Sequence, residues 1–313
     1  MQKFTEYFSM KKFVIQCLKI VTPQKLRRKL IQKWEDRKFK IYRYNLKQKI
    51  LEYYKGQKNI SSQEQEVLSF LKRAGLEVFP YDYIYNYRKT NVKVFYDKEI
   101  DLNYVLHFNK QLYFKRKMSI EGIKSLYRGL LIDQAENSPH RYLNENFQVN
   151  FTDVVVDAGA AEGNFSLEIV DRVKKIILFE NDPEWIEPLN ATFLPWKEKV
   201  EIINKKIGVR NNDKEVKLDA FFEKENFTFI KADIEGDEYN LLMGLNNILE
   251  RNIPLKLVLC TYHKENDYIN FGKMLSKNGY TITTTRGYMI YFYDKLIRPP
   301  YLRKALIRAV KDD

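Results

Sequence analysis

The stretch VVVDAGAAEGN, residues 154–164, decides the fold of this 313-residue chain. Three valines lead to Asp157, and Gly159 and Gly163 follow at the spacing Asp-x-Gly-x-x-x-Gly. Gly159 permits a tight turn, and Gly163 allows a helix to begin close to the strand. A dinucleotide site prefers Gly-x-Gly-x-x-Gly, but here Ala161 stands at the second glycine position. The stretch therefore predicts a buried strand, a glycine turn and a helix.

The same alternation continues through the second half of the chain. Apolar runs of strand length occupy residues 153–158, 175–180, 200–206, 227–232 and 256–261. Segments of helix length lie at residues 164–173, 184–192, 235–249 and 269–278. This pattern predicts an α/β fold with a mostly parallel, doubly wound sheet. Two further runs, 281–285 and 288–293, are joined by Arg286-Gly287 and predict a terminal antiparallel hairpin.

The first half of the chain predicts smaller elements. Residues 61–76 and 119–134 have the pattern of helices, and the β-rich pieces 92–96, 104–108 and 111–115 predict a small β layer. The predicted organisation has three parts. They are a basic helical segment at 1–60, an accessory α+β region at 61–149, and the sheet-containing domain at 150–313.

The positive charge of the protein is confined to its N-terminal segment. Residues 1–60 contain 17 Lys and Arg against 4 Asp and Glu, while residues 61–313 contain 37 of each. This distribution argues against a uniformly basic nucleic-acid binder, and nucleic acid is the least favoured partner of the segment. The favoured interpretation of the segment is a solvated helix. The alternative is a surface-seeking helix that docks on an anionic membrane or an acidic partner.

Cysteine use and hydropathy exclude several classes of protein. Cys17 and Cys260 lie far apart, which argues against a disulfide framework and a structural zinc site. The apolar run 13–21 contains Gln16 and Lys19 and is shorter than the roughly 18 to 20 apolar residues of a membrane span. No signal-peptide cleavage pattern follows it. We expect a cytoplasmic protein, with peripheral contact at the inner face of the membrane as the alternative.

The ends of the predicted strands carry the chemistry, because ligands of such sheets bind beyond the carboxyl ends of the strands. Glu180 ends the second strand, 23 residues after Asp157. An acid at this point can accept hydrogen bonds from both hydroxyls of a ribose. Together with the glycine turn, it predicts a nucleoside-cofactor site. A solvated acid and a structural glycine turn are the simpler alternatives.

Three acids follow the fourth strand, and a histidine follows the fifth. If the helix begins at Glu235, Glu235 and Glu238 share one of its faces and Asp233 points into the cleft. The alternative is that Asp233 or Glu235 only caps the helix. A metal held by these acids is less favoured, and we expect none. His263 is a candidate base for removing a proton from an attacking hydroxyl, although it could simply be a packed, hydrogen-bonding histidine.

Several of these stretches resemble the FkbM family of S-adenosylmethionine-dependent methyltransferases. They are residues 155–163, 178–183, 230–238 and 241–244, with Leu218-Asp219 and residues 260–264 as further matches. The resemblance covers about residues 150–295, and the Asp-x-Glu-Gly-x-Glu motif of residues 233–238 is its most specific part. Upstream, residues 112–114 and 134–142 are similar to a block seen in a subgroup of the family.

The resemblance implies a class I methyltransferase, Rossmann-like fold and S-adenosylmethionine as cofactor. It implies O-methylation of a hydroxyl on a saccharide or related polar metabolite, so that a glycan or small molecule is the partner. The residues expected to contact the cofactor are Asp157, Gly159, Ala160, Gly163, Asn164, Glu180, Asn181, Gly208 and Asp233.

His263 and Asp233 are the expected catalytic residues. Glu235, His140, Arg141 and Tyr262 are weaker candidates for binding the acceptor. Two other functions compete with methyl transfer: a non-catalytic cofactor-binding module and, less favoured, an NAD(P)-dependent oxidoreductase. The sequence predicts neither the identity of the acceptor nor the oligomeric state.

Overall fold

The computed structural model describes residues 24–311, apart from the side chains of Gln24, Lys25, Arg27 and Arg28. The part of the basic segment before residue 24 lies outside the described residues. Within the described chain, two compact units are distinguished. The first contains residues 24–59 and Leu71–Leu76, and the second contains Ile60–Phe70 and the chain from Glu77 onward. The three-part division of the sequence stays a prediction.

The first unit is built around α1 (Gln24–Lys55), a helix of 32 residues. Apolar side chains such as Leu30 and Ile41 are exposed on it, and lysines and arginines are interspersed among them. The helix therefore has no continuous apolar face of the kind that an interfacial helix buries in lipid. Docking on an anionic surface stays a prediction. No helix of the described residues is long and apolar enough to cross a bilayer.

The accessory elements match the sequence pattern closely. The helices are α2 (Ser62–Arg73), α3 (Ile84–Arg88) and α4 (Ile120–Asp133). The antiparallel layer consists of β1 (Phe95–Asp97), β2 (Leu102–His107) and β3 (Lys110–Tyr113). Ser119 caps α4 by accepting a hydrogen bond from Gly122 N at 3.1 Å, and this cap sets the start of the helix.

The main sheet has seven strands. They are β4 (Val154–Ala158), β5 (Lys175–Phe179), β6 (Val200–Ile203), β9 (Phe229–Ala232), β10 (Leu255–Cys260), β11 (Thr281–Thr284) and β12 (Leu306–Lys311). A separate parallel pair contains β7 (Lys206–Ile207) and β8 (Glu215–Val216).

Short helices connect these strands. They are α5 (Asn164–Ile169), α6 (Ile186–Phe193), α7 (Leu218–Phe222), α8 (Glu238–Gly244), α9 (Asn246–Glu250) and α10 (Asp267–Lys277). Single 3₁₀ turns lie at Val170–Arg172, Pro183–Trp185 and Leu194–Trp196.

The order of the strands is β11-β12-β10-β9-β4-β5-β6. Five neighbouring strands, from β10 to β6, run parallel, whereas β12 is antiparallel to both β10 and β11. The chain winds outward from β4 to β6 and then returns to the other side of β4 as β9. This reversal opens a crevice at the carboxyl ends of β4 and β9. The predicted α/β fold with a mostly parallel, doubly wound, Rossmann-like sheet is confirmed.

The terminal antiparallel pair is present, but the prediction of its second strand was wrong. Residues 288–293, all of them described, form only an isolated bridge between Met289 and Arg303. The partner of β11 is β12, whose sequence LIRAVK carries two charges that suggest exposure. Both charged side chains are nevertheless buried. Arg308 and Lys311 donate hydrogen bonds to backbone carbonyls, which replace the hydrogen bonds to water that burial removes.

The two faces of the sheet differ in chemistry. One face carries apolar side chains such as Val156, Ile230 and Leu257, which form the main core together with residues of α8, α9 and α10. The other face carries charged side chains among apolar ones, and Lys256 and Arg308 are two of them. Residues 134–149 pack there: Lys256 Nζ donates to Gln148 O at 3.0 Å, and Arg308 Nε donates to Tyr142 O at 2.8 Å.

Candidate functional site

The glycine turn after β4 is tightly constrained. Gly159 has a φ of +74°, and a Cβ added there would lie 2.1 Å from the backbone oxygen of Asp233. Its amide donates to Phe179 O at 2.9 Å, which closes the turn against the neighbouring strand. Only glycine fits both the left-handed backbone and this close approach. The turn brings the ends of β4, β5 and β9 together at the crevice.

Glu180 organises the backbone around the same crevice. Its carboxylate is buried and accepts hydrogen bonds from Ala161 N at 2.7 Å and from Asp182 N at 2.6 Å. Each carboxylate oxygen has a second lone pair that can accept a hydroxyl of a ligand. Glu180 is thus a fixed acceptor at the end of β5, as the sequence predicted for a ribose-binding acid.

A cleft of about 380 Å³ lies between these strand ends, and we call it the strand-end cleft. Five carboxylates line it, against two lysines. They are Glu180, Asp182, Asp233, Glu235 and Asp237, with Lys205 and Lys206. Lys206 lies 3.4 Å from Asp237, and Lys115, outside the lining, pairs with Asp182, so two of the five acids are paired and three remain against Lys205. The cleft has an excess of negative charge and suits a cationic ligand.

Four of the nine predicted cofactor residues line this cleft: Gly159, Glu180, Asn181 and Asp233. Asp157 does not. It is fully buried, forms an ion pair with Lys231 at 2.9 Å and accepts a hydrogen bond from Ser166 at 2.7 Å. Because side chains alternate along β4, Asp157 points to the charged face of the sheet and not to the crevice.

The other four predicted cofactor residues make backbone and packing contacts near the strand-end cleft. The amide of Ala160 donates to Phe179 O, and Asn164 is the first residue of α5. Gly163 has a φ of +80° and packs against the side chains of α6. Gly208 lies so close to Gly244 that a Cβ on Gly244 would be 2.1 Å from Gly208 O. None of these four lines the strand-end cleft.

Asp233 is the centre of a dense polar network. Its carboxylate accepts hydrogen bonds from the hydroxyls of Tyr142 at 2.8 Å and Tyr262 at 3.2 Å. His140 Nε2 lies 3.4 Å from Oδ2, and His263 Nε2 lies 3.6 Å from Oδ1. Burial favours the protonated acid, but the hydrogen bond and charge of His140 outweigh burial and hold the pKa of Asp233 well below its usual range. Asp233 is therefore a carboxylate at all physiological pH values.

A second buried acid, Glu238, holds His263. Glu238 is 0% exposed, and its Oε1 lies 3.0 Å from His263 Nδ1 while also accepting a hydrogen bond from Ile234 N. Burial lowers the pKa of His263, but the contact with Glu238 and the charges of Asp233 and Glu235 outweigh it and raise that pKa above 6.5. The second ring nitrogen, Nε2, faces Asp233 and Glu235.

The predicted helix from Glu235 to Leu249 was wrong at its start. Glu235 and Gly236 have φ values of +55° and +95°, which a right-handed helix excludes, so α8 begins at Glu238. Glu235 and Glu238 consequently do not share a face. The side chain of Glu235 is 84% exposed, whereas Glu238 is buried.

A wider cleft of about 800 Å³ adjoins this network, and we call it the outer cleft. Its lining is polar, with four acids, two amides, two basic groups, a histidine and a tyrosine. They include Glu235, His263, Lys264, Glu265, Asn266, Asp267, Asn270, Tyr291, Asp294 and Arg298. Glu235 lines both clefts. The strand-end cleft and the outer cleft therefore meet beside Asp233, Glu235 and His263.

The four predicted acceptor residues have different positions. Glu235, His140 and Tyr262 surround or adjoin Asp233. Arg141 does not, because its side chain lines a third cleft. The sequence analysis assigned no role to Tyr142 and Glu238, which contact Asp233 and His263 directly. Glu238 is the last acid of the Asp-x-Glu-Gly-x-Glu motif and Tyr142 ends the resembling block 134–142, but neither pattern indicated these contacts.

Two overlapping groups of side chains have the composition of a metal site. They are His140 with Asp233 and Cys260, and Asp233 with Glu238 and His263. The ligand atoms of each group lie within 4.8 Å of one another. Asp233, common to both, already accepts hydrogen bonds from two tyrosines. The expectation that the protein uses no metal stays a prediction.

No protein-family model matches the chain, and no curated protein matches it. Among solved structures, it is similar to the methyltransferase FkbM from Methylobacillus flagellatus KT, with 15% identity and a TM-score of 0.41. That match covers 63% of this chain, and this chain spans only 56% of that structure.

Two further solved structures are similar to the chain. A putative methyltransferase from Streptococcus mutans in complex with SAH shows 16% identity and a TM-score of 0.35, over 52% of this chain and 91% of that one. A precorrin-6y C5,15-methyltransferase from Geobacter metallireducens GS-15 shows 11% identity and a TM-score of 0.33, over 53% and 82%. At these values the comparisons carry no functional conclusion, and membership of the FkbM family stays a prediction.

Proposed function

We propose that the protein is an S-adenosylmethionine-dependent methyltransferase that methylates a hydroxyl of a saccharide or related polar metabolite. The observation that carries the proposal is the meeting of two clefts beside Asp233 and His263. One cleft is acid-lined and ends on the fixed acceptor Glu180. The other is wide and polar, with the imidazole of His263 in its wall.

The charge of the strand-end cleft favours this cofactor over a dinucleotide. S-adenosylmethionine, when bound, supplies a methyl group on a positively charged sulfur. The five carboxylates outnumber the lysines that line the cleft, Lys205 and Lys206, so the cleft attracts such a cation and repels the pyrophosphate of NAD. Glu180 would hold the ribose hydroxyls, and the turn at Gly159 leaves the backbone open to close approach by a ligand.

The residues at the junction suit the removal of a proton from an acceptor hydroxyl. Glu238 Oε1 lies 3.0 Å from His263 Nδ1 and orients the ring, so that Nε2, which is buried beside Asp233 and Glu235, would take the proton. Asp233 is anchored by two tyrosine hydroxyls and stabilises the imidazolium that forms. His263 therefore acts as the general base, and Glu238 is a positioning residue.

The lining of the outer cleft supports a polyhydroxylated acceptor. Its carboxylates and amide oxygens accept hydrogen bonds, while Asn270, Lys264 and Arg298 donate them. A saccharide presents hydroxyls that need both kinds of partner. The aromatic ring of Tyr291 at the wall provides an apolar surface for the face of a sugar ring.

We expect isothermal titration calorimetry to show binding of S-adenosylhomocysteine and no binding of NAD or NADP. Glu180→Gln should weaken S-adenosylhomocysteine binding roughly tenfold or more, because a charged acceptor for the ribose is lost. Glu198→Gln, which removes an exposed acid away from the clefts, is the control and should leave the affinity unchanged. Thermal unfolding of each variant separates lost binding from lost folding.

The outcome that contradicts the cofactor assignment is equal affinity of Glu180→Gln and the unmodified protein. Stabilisation by NAD in place of S-adenosylhomocysteine would favour an oxidoreductase instead. If S-adenosylhomocysteine binds but no methyl group is transferred to any acceptor, the protein is a binding module.

We expect methyl incorporation to rise with pH through the pKa of His263, which lies above 6.5, because only the neutral imidazole accepts a proton. The assay uses labelled S-adenosylmethionine with extracted cell-surface glycans and their lipid-linked or nucleotide-linked precursors. His263→Gln should slow transfer about a hundredfold. Glu238→Gln should move the rise to lower pH, because it removes a contact and a charge that raise the pKa of His263.

The titration of His263 can also be followed without an acceptor, by the chemical shifts of its ring protons in nuclear magnetic resonance spectra. An unchanged His263 pKa in Glu238→Gln would disprove the positioning role. Transfer by His263→Gln at the rate of the unmodified protein would remove His263 from the reaction.

A further inference from the structure

A third cleft, of about 440 Å³, lies where β11 and β12 meet residues 136–144. It contains three arginines, and we call it the arginine cleft. Its lining includes Tyr83, Ser138, Arg141, Thr284, Arg286 and Arg308. No lining residue is shared with the strand-end cleft or the outer cleft. The arginine cleft is therefore separate from the proposed methyl-transfer site, and the inference drawn from it does not depend on that function.

Arg308, at the base of this cleft, is a buried guanidinium without a carboxylate partner. It is 3% exposed, and it donates hydrogen bonds from Nε to Tyr142 O at 2.8 Å and from Nη2 to Arg141 O at 2.7 Å. Nη1 donates no hydrogen bond within residues 24–311. Neutral carbonyls hold the orientation of the side chain but do not balance its charge. A desolvated charge without a counter-ion is unfavourable.

Arg141 adds a second positive charge at the same place. Burial and the charge of Arg141 together lower the pKa of Arg308 to about 10. Arg141 itself donates to Gln134 O and forms no ion pair with any carboxylate of the described chain. Two guanidinium groups that lack counter-ions thus face one cleft.

The acids of the cleft do not neutralise this pair. Glu66 lies 3.3 Å from Arg286 at the exposed rim, so its charge is taken by the third arginine. Asp82 and Glu136 are exposed lining residues, and neither forms an ion pair with Arg141 or Arg308 among residues 24–311. The deep part of the cleft keeps an uncompensated positive charge.

We propose that the arginine cleft binds a phosphate group, with Arg141 and Arg308 as its principal ligands. A guanidinium presents parallel N–H donors that match two oxygens of a phosphate, and two such groups can bind a single tetrahedral dianion. The anion supplies the counter-charge that the buried Arg308 lacks. The buried hydroxyl of Tyr83 and the rim residue Arg286 provide further donors. The ligand is free phosphate or a small phosphorylated metabolite.

The test measures binding of inorganic phosphate, pyrophosphate and glucose 1-phosphate to the full chain by isothermal titration calorimetry, in chloride buffer at constant ionic strength. We expect saturable binding at one site. Arg141→Gln should weaken this binding at least tenfold, since one of the two guanidinium groups is lost. Arg308→Lys keeps the positive charge but loses the parallel N–H donors of the guanidinium, so it should also weaken binding. Arg251→Gln removes an exposed arginine paired with Glu223 and is the matched control.

Tighter binding of glucose 1-phosphate than of inorganic phosphate would identify a phosphorylated metabolite as the ligand, and the reverse would identify the free anion. Absence of saturable binding of all three probes would overturn the proposal. It would also be overturned if Arg141→Gln bound these probes as tightly as Arg251→Gln. Because Arg308 lies in a central strand, thermal unfolding identifies a misfolded Arg308→Lys protein, and Arg141→Gln then decides the result.

Discussion

Replacing Gly159 by alanine is expected to lower the free energy of unfolding by about 3 kcal/mol or more and to abolish binding of S-adenosylhomocysteine. Two effects combine at this position. The backbone is left-handed, with a φ of +74°, which is unfavourable for alanine. In addition, the new methyl group would lie 2.1 Å from the backbone oxygen of Asp233. Relief of that contact must separate β4 from the end of β9, where the two clefts meet.

Gly129→Ala provides a matched control within the same unit. Gly129 lies inside α4, has an ordinary helical backbone, and a Cβ there would meet nothing within 4 Å. The substitution should stabilise the protein by up to about 1 kcal/mol, because alanine favours a helix more than glycine does. Urea denaturation measures both changes. A Gly159→Ala protein as stable as the unmodified chain, with intact binding, would show that the crevice tolerates rearrangement.

Local patterns were sufficient to predict the crevice. The apolar run before Gly159 and the acid at Glu180 lie on consecutive strands, and parallel topology then brings their ends together. The position of His263 beside Asp233 follows from the same rule, since β9 and β10 are neighbours. These are consequences of a parallel sheet, which the alternation of apolar runs with segments of helix length predicts.

Contacts between distant segments could not be predicted in the same way. The sequence analysis did not predict β12, in which Arg308 and Lys311 look like exposed residues in isolation. Their burial depends on carbonyls of residues 141, 142, 249 and 251, which only the folded chain brings near. Glu238 was assigned to the wrong face because two left-handed residues, Glu235 and Gly236, displaced the start of α8.

For Asp157, too, the sequence did not reveal a contact with a distant residue. The resemblance to the FkbM family implied that Asp157 contacts the cofactor. In the structure, Lys231 on the neighbouring strand takes its charge instead. The sequence places Lys231 next to Ala232 in an apolar run, where a lysine gave no indication of its partner.

Lys231→Met is expected to cost about 3 to 5 kcal/mol of stability, because it leaves the carboxylate of Asp157 buried without a counter-ion. Asp157 is 0% exposed, and Lys231 Nζ lies 2.9 Å from its Oδ1. Burial lowers the pKa of Lys231, but the charges of Asp157 and Asp233 outweigh it and raise that pKa, so the lysine is charged. Lys117→Met, which breaks an exposed ion pair with Glu184, is the control and should cost less than about 1 kcal/mol.

The double variant Lys231→Met with Asp157→Asn separates the ion pair from a second role of the lysine. Stability should largely return, because neither partner is charged any longer, whereas an additive loss would disprove the pairing argument. Binding of S-adenosylhomocysteine should not return. Lys231 Nζ also donates to Gly159 O at 2.7 Å, and methionine cannot replace this donor. The turn at Gly159 would then lack the hydrogen bond that fixes it at the mouth of the strand-end cleft, even in a protein that folds.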